Sequence, residues 1–449
     1  MLNYPDFLQS KTHTIRGQGF RPSWMPDAVF PFQQRLIEEA CSRERYAVFA
    51  DCGLGKTLVQ LAFAENVVRH TNGRALIVTP LSVSAQTVRE GAKFGVDVKR
   101  SVDGQAKGSI TVTNYEKLHL FDRGQFSCVI LDESSTIKNF DGVRKGVVTE
   151  FMREVPYRLL CTATAAPNDY IELGTSSEAL GELGRMDMLA RYFKNDENSL
   201  HPIWWGARWR LKRHGEHAFW AWVASWSRAL RRPSDIGFSD EGFVLPGLNI
   251  QEHIVHNNAA FHGQLFPVQA VTLEEQREER RMTLVERCTR AAETLDGKVA
   301  VAWCHLNAEA DTLERMMAGS RQISGSMADE EKEELYDAFS SGQLRQIVLK
   351  PRMGAFGMNW QHCHNTSFFP SHSFEQWYQG VRRFWRFGQT KPVNVHIVTT
   401  EGELGVMRNL QRKAEAASHM FDMIVQHMNE AVLDAAKPKT HTTEAPSWL

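Results

Sequence analysis

The chain has 449 residues, and its 52 Lys and Arg against 53 Asp and Glu give a formal net charge of −1. The length favours two or three domains, and 42% hydrophobic with 23% charged residues excludes a disordered chain. Without an overall basic excess, any nucleic-acid surface must be local. Seven cysteines with no C-x-x-C pair argue against a disulfide framework or a zinc ribbon. No membrane-spanning run or secretory signal is recognisable, so we expect a cytoplasmic protein.

Short apolar, β-branched segments alternate with helical stretches in two series, from about residue 46 to 164 and from 298 to 400. This alternation predicts two parallel sheets covered by helices. Helix-forming residues dominate the segment between the two series and the segment after residue 402. The predicted division is 1–28, an N-terminal extension; 29–180, a first α/β lobe; 181–296, a mainly helical insertion; 297–400, a second α/β lobe; 401–436, a C-terminal helix; and 437–449, a flexible tail.

The sequence ADCGLGKT (50–57) follows a predicted strand and precedes a predicted helix, as a phosphate-binding loop requires. Gly53 and Gly55 let backbone N–H groups close around phosphate oxygens, while Lys56 supplies a charge and Thr57 a hydroxyl for Mg²⁺. The first glycine of the general pattern is replaced by Ala50. The alternative is an ordinary glycine turn at the start of a helix.

Two acids end the apolar strand in VILDESS (129–135), which places them at the mouth of an α/β sheet. There Asp132 can hold Mg²⁺, and Glu133 can orient or deprotonate an attacking water. The strand end CTATAAPND (161–169) adds Thr162 and Thr164, whose hydroxyls can bond to those carboxylates. Taken alone, each segment is also compatible with a polar surface turn.

The segment QGVRRFWRFGQ (379–389) places Arg383 and Arg386 at helical spacing between two glutamines. Two arginines one turn apart on one helix face can grip a single anion. For an isolated pair, a solvated basic helix face is the alternative.

In this order, the motifs resemble the motor core of superfamily-two helicases, most closely the Swi/Snf-type branch of DNA-translocating ATPases. The phosphate loop matches D-x-G-L-G-K-T, PFQQ matches an aromatic-Gln element, LDESSTIKN matches the acidic block, and TATAAPN matches T-G-T-P-x-x-N. RMGAFGMNWQ resembles A-G-G-x-G-x-N-L, and residues 379–389 match Q-x-x-x-R-x-x-R-x-G-Q. The resemblance covers roughly residues 29–180 and 297–400.

The resemblance implies two tandem RecA-like lobes with a mainly helical insertion between them, binding ATP and Mg²⁺ at their interface. Arg383 and Arg386 are then arginine fingers that reach the γ-phosphate from the second lobe. The implied catalytic residues are Lys56, Asp132, Glu133, Gln379, Arg383 and Arg386. The implied ATP-binding residues are Phe32 and Gln33 at adenine, Gly53, Leu54, Gly55, Lys56, Thr57, Gly357, Arg383 and Arg386, with Thr57 and Asp132 at the metal.

Nucleic-acid contacts are predicted in two places. The strand ends that resemble the family's contact elements contribute Pro80, Ser82 and Asn114. Residues 201–232 carry seven Lys or Arg against one acid together with six Trp, a combination that can follow phosphates and stack on bases. The basic candidates there are Arg208, Arg210, Lys212 and Arg213; the alternative for the Trp residues is core packing.

Several positions depart from the family pattern, including Ser134 and Ser135 in the acidic block and Ala163 and Ala165 in the TATAAPN block. They suggest a divergent, phage-like member, which would act in the host cytoplasm. The predicted function is an ATP-dependent translocase that tracks as a monomer on DNA, preferably duplex. The alternatives are a strand-separating helicase on RNA or forked DNA and a non-catalytic, ATP-gated nucleic-acid clamp.

Overall fold

The computed structural model describes residues 19–139, 142–166, 169–195, 209–256, 273–354, 359–370 and 373–436. The first lobe contains α1 (Pro31–Arg43), β1 (Arg45–Ala50), α2 (Lys56–Thr71), β2 (Ala75–Thr79), α3 (Ser84–Lys93), β3 (Val98–Arg100), β4 (Ile110–Asn114), β5 (Cys128–Asp132), α4 (Gly142–Glu154), β6 (Tyr157–Thr162), α5 (Leu173–Leu180), α6 (Arg185–Tyr192), β7 (Phe193–Asn195), β8 (Trp209–Leu211), α7 (Glu216–Trp226) and β9 (Ser227–Leu230). Among the described residues, seven strands form a parallel sheet in the order β3-β4-β2-β5-β6-β1-β9, and β7 and β8 form an antiparallel pair.

The second lobe contains β10 (Leu248–Val255), α8 (Leu273–Met282), α9 (Leu284–Leu295), β11 (Ala300–Trp303), α10 (Asn307–Met316), β12 (Arg321–Ile323), α11 (Asp329–Ser340), β13 (Gln346–Leu349), α12 (Pro351–Gly354), β14 (Asn365–Phe368), α13 (Phe374–Val381), β15 (Val393–Thr400) and α14 (Leu404–Ala436). Within the described part of the chain, its six strands are parallel and follow the order β10-β15-β14-β11-β13-β12.

The apolar runs read from the sequence form the central strands of both sheets. Every residue of β2, β4, β5 and β6 is buried, because helices cover both faces of the parallel sheet. The carboxyl ends of these strands lie along one edge, and this edge carries the phosphate loop and the acidic motif. The predicted pair of α/β lobes is therefore present.

The segment between the two predicted lobes is not a separate helical insertion. Strand β9 pairs with β1 and extends the first sheet, and β10 pairs with β15 and extends the second sheet. The lobes are joined instead by residues 231–247. The sequence concealed both strands, because β9 has only four residues within an aromatic, basic stretch and β10 is an edge strand with mostly exposed side chains.

The helix α14 returns from lobe 2 to lobe 1 and packs on α7 and β9. Its residues Phe421, Ile424, Val425 and Met428 belong to the hydrophobic core of lobe 1. Trp220 of α7 stacks on His427, with ring centroids 5.1 Å apart. Lobe 1 thus holds the C-terminal helix as well as its own sheet.

Candidate nucleotide site between the lobes

The phosphate loop, residues 51–55, links β1 to α2. Gly53 and Gly55 have φ angles of +90° and +76°, in the left-handed region that favours glycine. This path leads into the amino end of α2, where backbone N–H groups and the helix dipole favour phosphate. Lys56 Nζ donates to the carbonyl oxygens of Ala50 (2.8 Å) and Asp51 (3.3 Å), so the lysine lies over the loop. Thr57 is half-buried beside it.

Gln33 joins α1 to the phosphate loop. Its Oε1 accepts from Phe30 N (3.0 Å), and its Nε2 donates to Leu54 O (3.0 Å), while the Leu54 side chain is buried in the core. Phe32 was predicted to contact adenine. Its side chain is instead buried in the lobe 1 core, where it is only 2% exposed. The accessible ring of the PFQQ region is Phe30, which is 39% exposed.

An aromatic cluster surrounds Phe30. Phe243, from the segment between the lobes, lies 5.0 Å from Phe30, and Phe387 of lobe 2 stacks on Phe243 with centroids 4.5 Å apart. Sequence analysis missed Phe243 and Phe387, because contacts between residues so distant in sequence leave no local pattern. The phosphate loop and lobe 2 therefore meet beside an apolar ring cluster.

Asp132 and Glu133 lie at the carboxyl end of β5, as predicted. Gln60 Nε2 donates to Asp132 Oδ1 (2.6 Å), and Tyr115 Oη donates to the Asp132 backbone carbonyl (2.6 Å). Burial, followed by the nearby charge of Glu133, raises the pKa of Asp132 to about 6. Glu133 has a φ of +48°, an uncommon conformation for a residue other than glycine. Neither Gln60 nor Tyr115 was singled out in the sequence, although Gln60 is a polar residue in the apolar helix that follows Lys56.

Thr162 is the last residue of β6, and Thr164 lies in the turn that follows it. The Thr162 hydroxyl oxygen accepts from Thr164 N (3.1 Å) and closes the turn, rather than acting only as the predicted partner of the carboxylates. The Pro-Asn pair at 167–168 and the predicted ATP-binding Gly357 lie outside the described residues.

Residues 382–388 form a turn, here called the arginine turn, after α13 ends at Val381. The predicted single helix face for Arg383 and Arg386 is therefore wrong. The backbone follows i to i−3 bonds at Arg383 and Phe384, and Phe384 is fully buried in the core of lobe 2. Packing of this ring takes the chain out of the helix.

Gln379 orients Arg383 from the last turn of α13. Its Oε1 accepts from a terminal nitrogen of Arg383 (3.0 Å), and its backbone carbonyl accepts from Arg383 Nε (3.2 Å). Burial lowers the pKa of Arg383, against the opposing effect of Cys52, Glu133 and Asp132 in lobe 1. Arg383 therefore lies within electrostatic reach of the acidic motif.

The lobes meet at a seam between the phosphate loop and the arginine turn. A Cβ built on Gly53 would lie 2.7 Å from Phe387 N and 3.4 Å from Arg386 Cβ. Arg386 itself is half-buried at this seam. The arginine turn that carries both predicted arginine fingers therefore packs against the phosphate loop.

The residues at the seam fit a ligand that carries phosphate and a divalent cation. Several buried polar atoms there have no hydrogen-bond partner among the described residues, a situation that native proteins usually avoid. Carboxylate and hydroxyl oxygens suit Mg²⁺, and an amide N–H suits a phosphate oxygen. These atoms are Glu133 Oε2, Ser134 Oγ, Thr164 Oγ1, Gln60 Oε1 and Gln379 Nε2.

The candidates for nucleic-acid contact at the strand ends lie at the expected edge of lobe 1. Pro80 follows β2 and precedes a short turn whose backbone includes Ser82. Asn114 Oδ1 accepts from Lys117 N (3.0 Å) and caps the short helix that follows β4. This side chain therefore has a structural role in addition to any contact with a strand.

The aromatic and basic segment separates into two groups. Trp220 and Trp226 are 2% and 1% exposed in the lobe 1 core, which is the alternative considered for them. Lys212 Nζ donates to the carbonyls of Ala190 (2.9 Å) and Arg191 (3.0 Å) and so caps α6. The two exposed candidates are Arg210 and Arg213, and Arg208 lies outside the described residues.

Part of the chain is similar to known helicases. Residues 30–173 match the DEAD/DEAH box helicase family. Over 193 residues the chain is 28% identical to proteins named Helicase SWR1 from two strains of Cryptococcus neoformans var. neoformans serotype D. These alignments cover 37% of this chain but 15% and 10% of the relatives, so the chain spans less than a sixth of their length.

Two solved structures of S. cerevisiae Dbp5 bound to RNA and ADP BeF3, one of them a point variant, superpose with a TM-score of 0.54. The match covers 89% of this chain and 98% of Dbp5 at 11% identity, so it shows a shared fold. Residues 30–173 therefore carry a helicase domain of the DEAD/DEAH box type. The predicted helicase resemblance and the tandem RecA-like fold are confirmed.

Among the residues that the structure describes, no helix combines the length and apolar character that crossing a bilayer requires.

Proposed function

We propose that the chain is an ATP-dependent motor that hydrolyses ATP at the seam while it tracks along DNA, preferably duplex. The observation that supports this proposal is the close approach of the arginine turn, which carries Arg383 and Arg386, to the phosphate loop of the opposite lobe. A site completed by two lobes couples hydrolysis to their relative movement.

The roles of the lobe 1 residues follow from their positions. Lys56, which lies on the loop carbonyls, would neutralise phosphate charge, and the backbone N–H groups from Gly53 to Gly55 would bind phosphate oxygens. Thr57 and Asp132 would hold Mg²⁺, which would neutralise further charge on the phosphates. Glu133, beside Asp132, orients the attacking water and accepts its proton.

The arginine turn supplies the remaining charge. Arg383, held by Gln379, and Arg386 stabilise the negative charge that develops on the transferred phosphoryl group. In related phosphoryl-transfer enzymes an arginine finger contributes about 10³ to 10⁵ in rate. Their guanidinium groups match phosphate oxygens through paired donors, which a lysine cannot do.

DNA is proposed as the track because the phosphate loop and arginine motifs resemble the Swi/Snf-type branch. RNA is the second candidate, favoured by the fold similarity to Dbp5, whose solved structures hold RNA. Exposed Arg210 and Arg213, together with the strand ends at Pro80 and Asn114, are the proposed strand contacts. A non-catalytic, ATP-gated clamp remains the third candidate.

The test is steady-state ATP turnover on single-stranded, duplex and forked DNA and on matched RNA, at one fixed salt concentration. We expect the largest stimulation with duplex DNA and displacement of a triplex strand without separation of the duplex. Greatest stimulation by RNA with duplex unwinding would establish the RNA helicase instead. Nucleotide binding with negligible turnover on every substrate would establish the clamp.

A further inference from the structure

An ion pair between Asp51 and Arg382 crosses the seam beside the proposed arginine fingers. Asp51 is the first residue of the phosphate loop in lobe 1, and Arg382 is the first residue of the arginine turn in lobe 2. Their side chains are only 10% and 5% exposed. The family motifs in the sequence include Asp51 but give no role to Arg382.

Asp51 binds both lobes at once. Its Oδ1 accepts from the backbone N–H of Cys52 (2.7 Å) and from Tyr378 Oη of α13 (2.8 Å), while its Oδ2 pairs with Arg382. Burial alone would raise the pKa of Asp51, yet Arg382 beside it holds this pKa below its ordinary value. The carboxylate is therefore ionised and ties the shape of the phosphate loop to the opposite lobe.

Within lobe 2, Arg382 is held by contacts with Tyr378 and Trp385. Its guanidinium lies 5.5 Å from the centre of the Tyr378 ring and 4.9 Å from that of Trp385, and it donates to Trp385 O (3.2 Å). Stacking and a planar fork of donors favour arginine over lysine at such a position. The orientation of Arg382 therefore fixes the orientation of the turn that contains it.

We propose that Arg382 is a positioning residue for ATP hydrolysis, which by pairing with Asp51 across the seam sets Arg383 and Arg386 against the phosphate loop. This inference rests on the proposed function of the seam. Arg382 stays on Asp51 and does not touch the phosphates. Its contribution is geometric, because a displacement of about 1 Å in an active site can reduce the rate about 100-fold.

The main test compares turnover with nucleotide affinity. In Arg382→Gln we expect kcat to fall about 100-fold, while the affinity for a fluorescent ADP analogue changes less than about threefold, because the phosphate loop remains intact. The kcat of Arg382→Lys should lie between that of Arg382→Gln and that of wild type. Arg89→Gln is the matched control, since it breaks an exposed inter-lobe pair with Asp337 (2.8 Å) and should change kcat less than about twofold.

A double-mutant cycle shows whether Arg382 acts through Asp51. If it does, the kcat of the double variant Asp51→Asn/Arg382→Gln should be no lower than that of the more impaired single variant. Tyr378→Phe, which keeps the ring and removes one bond to Asp51, is the milder variant and should lose about three- to tenfold. A kcat for Arg382→Gln within threefold of wild type, or single losses that multiply in the double variant, would overturn the proposal.

Förster resonance energy transfer between a donor dye on one lobe and an acceptor dye on the other measures lobe closure. This measurement tests the inference separately from the proposed function. ADP BeF3 should bring the lobes of the wild-type chain together, and Arg382→Gln should lower the closed fraction at saturating probe. This readout does not depend on turnover, so a wild type that closes but never hydrolyses ATP would refute the motor, while a lower closed fraction in Arg382→Gln would still support the role of the ion pair in setting the lobes. Equal closed fractions in both proteins would refute the ion pair as a positioning device.

Discussion

Glu133→Gln tests the chemistry of the acidic motif with almost no change of shape. The amide keeps the size of the side chain but cannot accept a proton from water. Since general base catalysis contributes about 10² to 10⁴ in rate, we expect turnover to fall by that factor. Nucleotide affinity should stay within about threefold of wild type, because Lys56 and the phosphate loop are unaltered.

The same variant should not lose stability. The difference between the ordinary Asp132 pKa of 3.8 and its folded value of about 6 corresponds to about 3 kcal/mol. Because the folded pKa is the higher one, this energy is lost as pH rises from about 4 to about 6, and it stays lost at neutral pH. Burial is the main cause and the Glu133 charge the second, so neutralising Glu133 restores part of that energy.

The assays are phosphate release at saturating ATP and Mg²⁺, equilibrium nucleotide binding, and thermal denaturation at pH 7.5. A melting temperature at or above that of wild type combined with a large loss of turnover is the expected result. Turnover within threefold of wild type would show that Glu133 does not activate water. A clearly lower melting temperature would refute the stated electrostatic cost of the paired carboxylates.

Four further outcomes follow from the same geometry. Arg386→Gln should lower kcat about 10³-fold with nucleotide affinity within tenfold, measured by phosphate release and binding; an unchanged kcat would remove Arg386 from the site. Because Asp132 must be ionised to hold Mg²⁺, binding of Mg²⁺-nucleotide should weaken as pH falls below about 6, whereas a flat titration between pH 5 and 8 would contradict this role. Trp220→Ala should cost about 3 to 5 kcal/mol in chemical denaturation and leave the nucleic-acid affinity of the folded fraction unchanged, and weaker binding by that fraction would restore Trp220 as a contact. Gly53→Ala places a Cβ 2.7 Å from Phe387 N and should reduce lobe closure in fluorescence transfer and lower turnover about tenfold or more, so normal closure would argue against the seam.

The sequence predicted that the phosphate loop and the acidic motif lie at strand ends, because each of them is a short local pattern. Gly53, Gly55 and Lys56 have their roles through backbone geometry within one loop, and Asp132 and Glu133 are adjacent in the chain. Such features depend on few distant contacts, so local motif and strand order suffice to place them.

The remaining features depend on contacts between distant segments. Phe30 and Phe32 both pack against Phe243, more than 200 positions away, yet only Phe30 remains accessible, which the sequence does not show. The arginine motif selects Arg383 by its spacing and gives Arg382 no role, because the partner of Arg382, Asp51, is more than 300 positions away. Trp220 and its neighbours have the composition of a base-stacking surface, but α14 covers them.

The return of α14 to lobe 1 limits how the two halves can separate. Lobe 2 is attached at two points, by residues 231–247 before it and by α14 after it. Near the first attachment, Arg231 pairs with Asp422 of α14 (2.7 Å) and Asn429 Nδ2 donates to Asp235 O (2.6 Å), so the two attachments also contact each other. Rotation of lobe 2 about these two attachments would therefore keep α14 in place. Translation of lobe 2 away from lobe 1 would require α14 to lose its apolar contacts with the lobe 1 core. In the proposed motor, we therefore expect lobe 2 to move relative to lobe 1 by rotation about these two attachments.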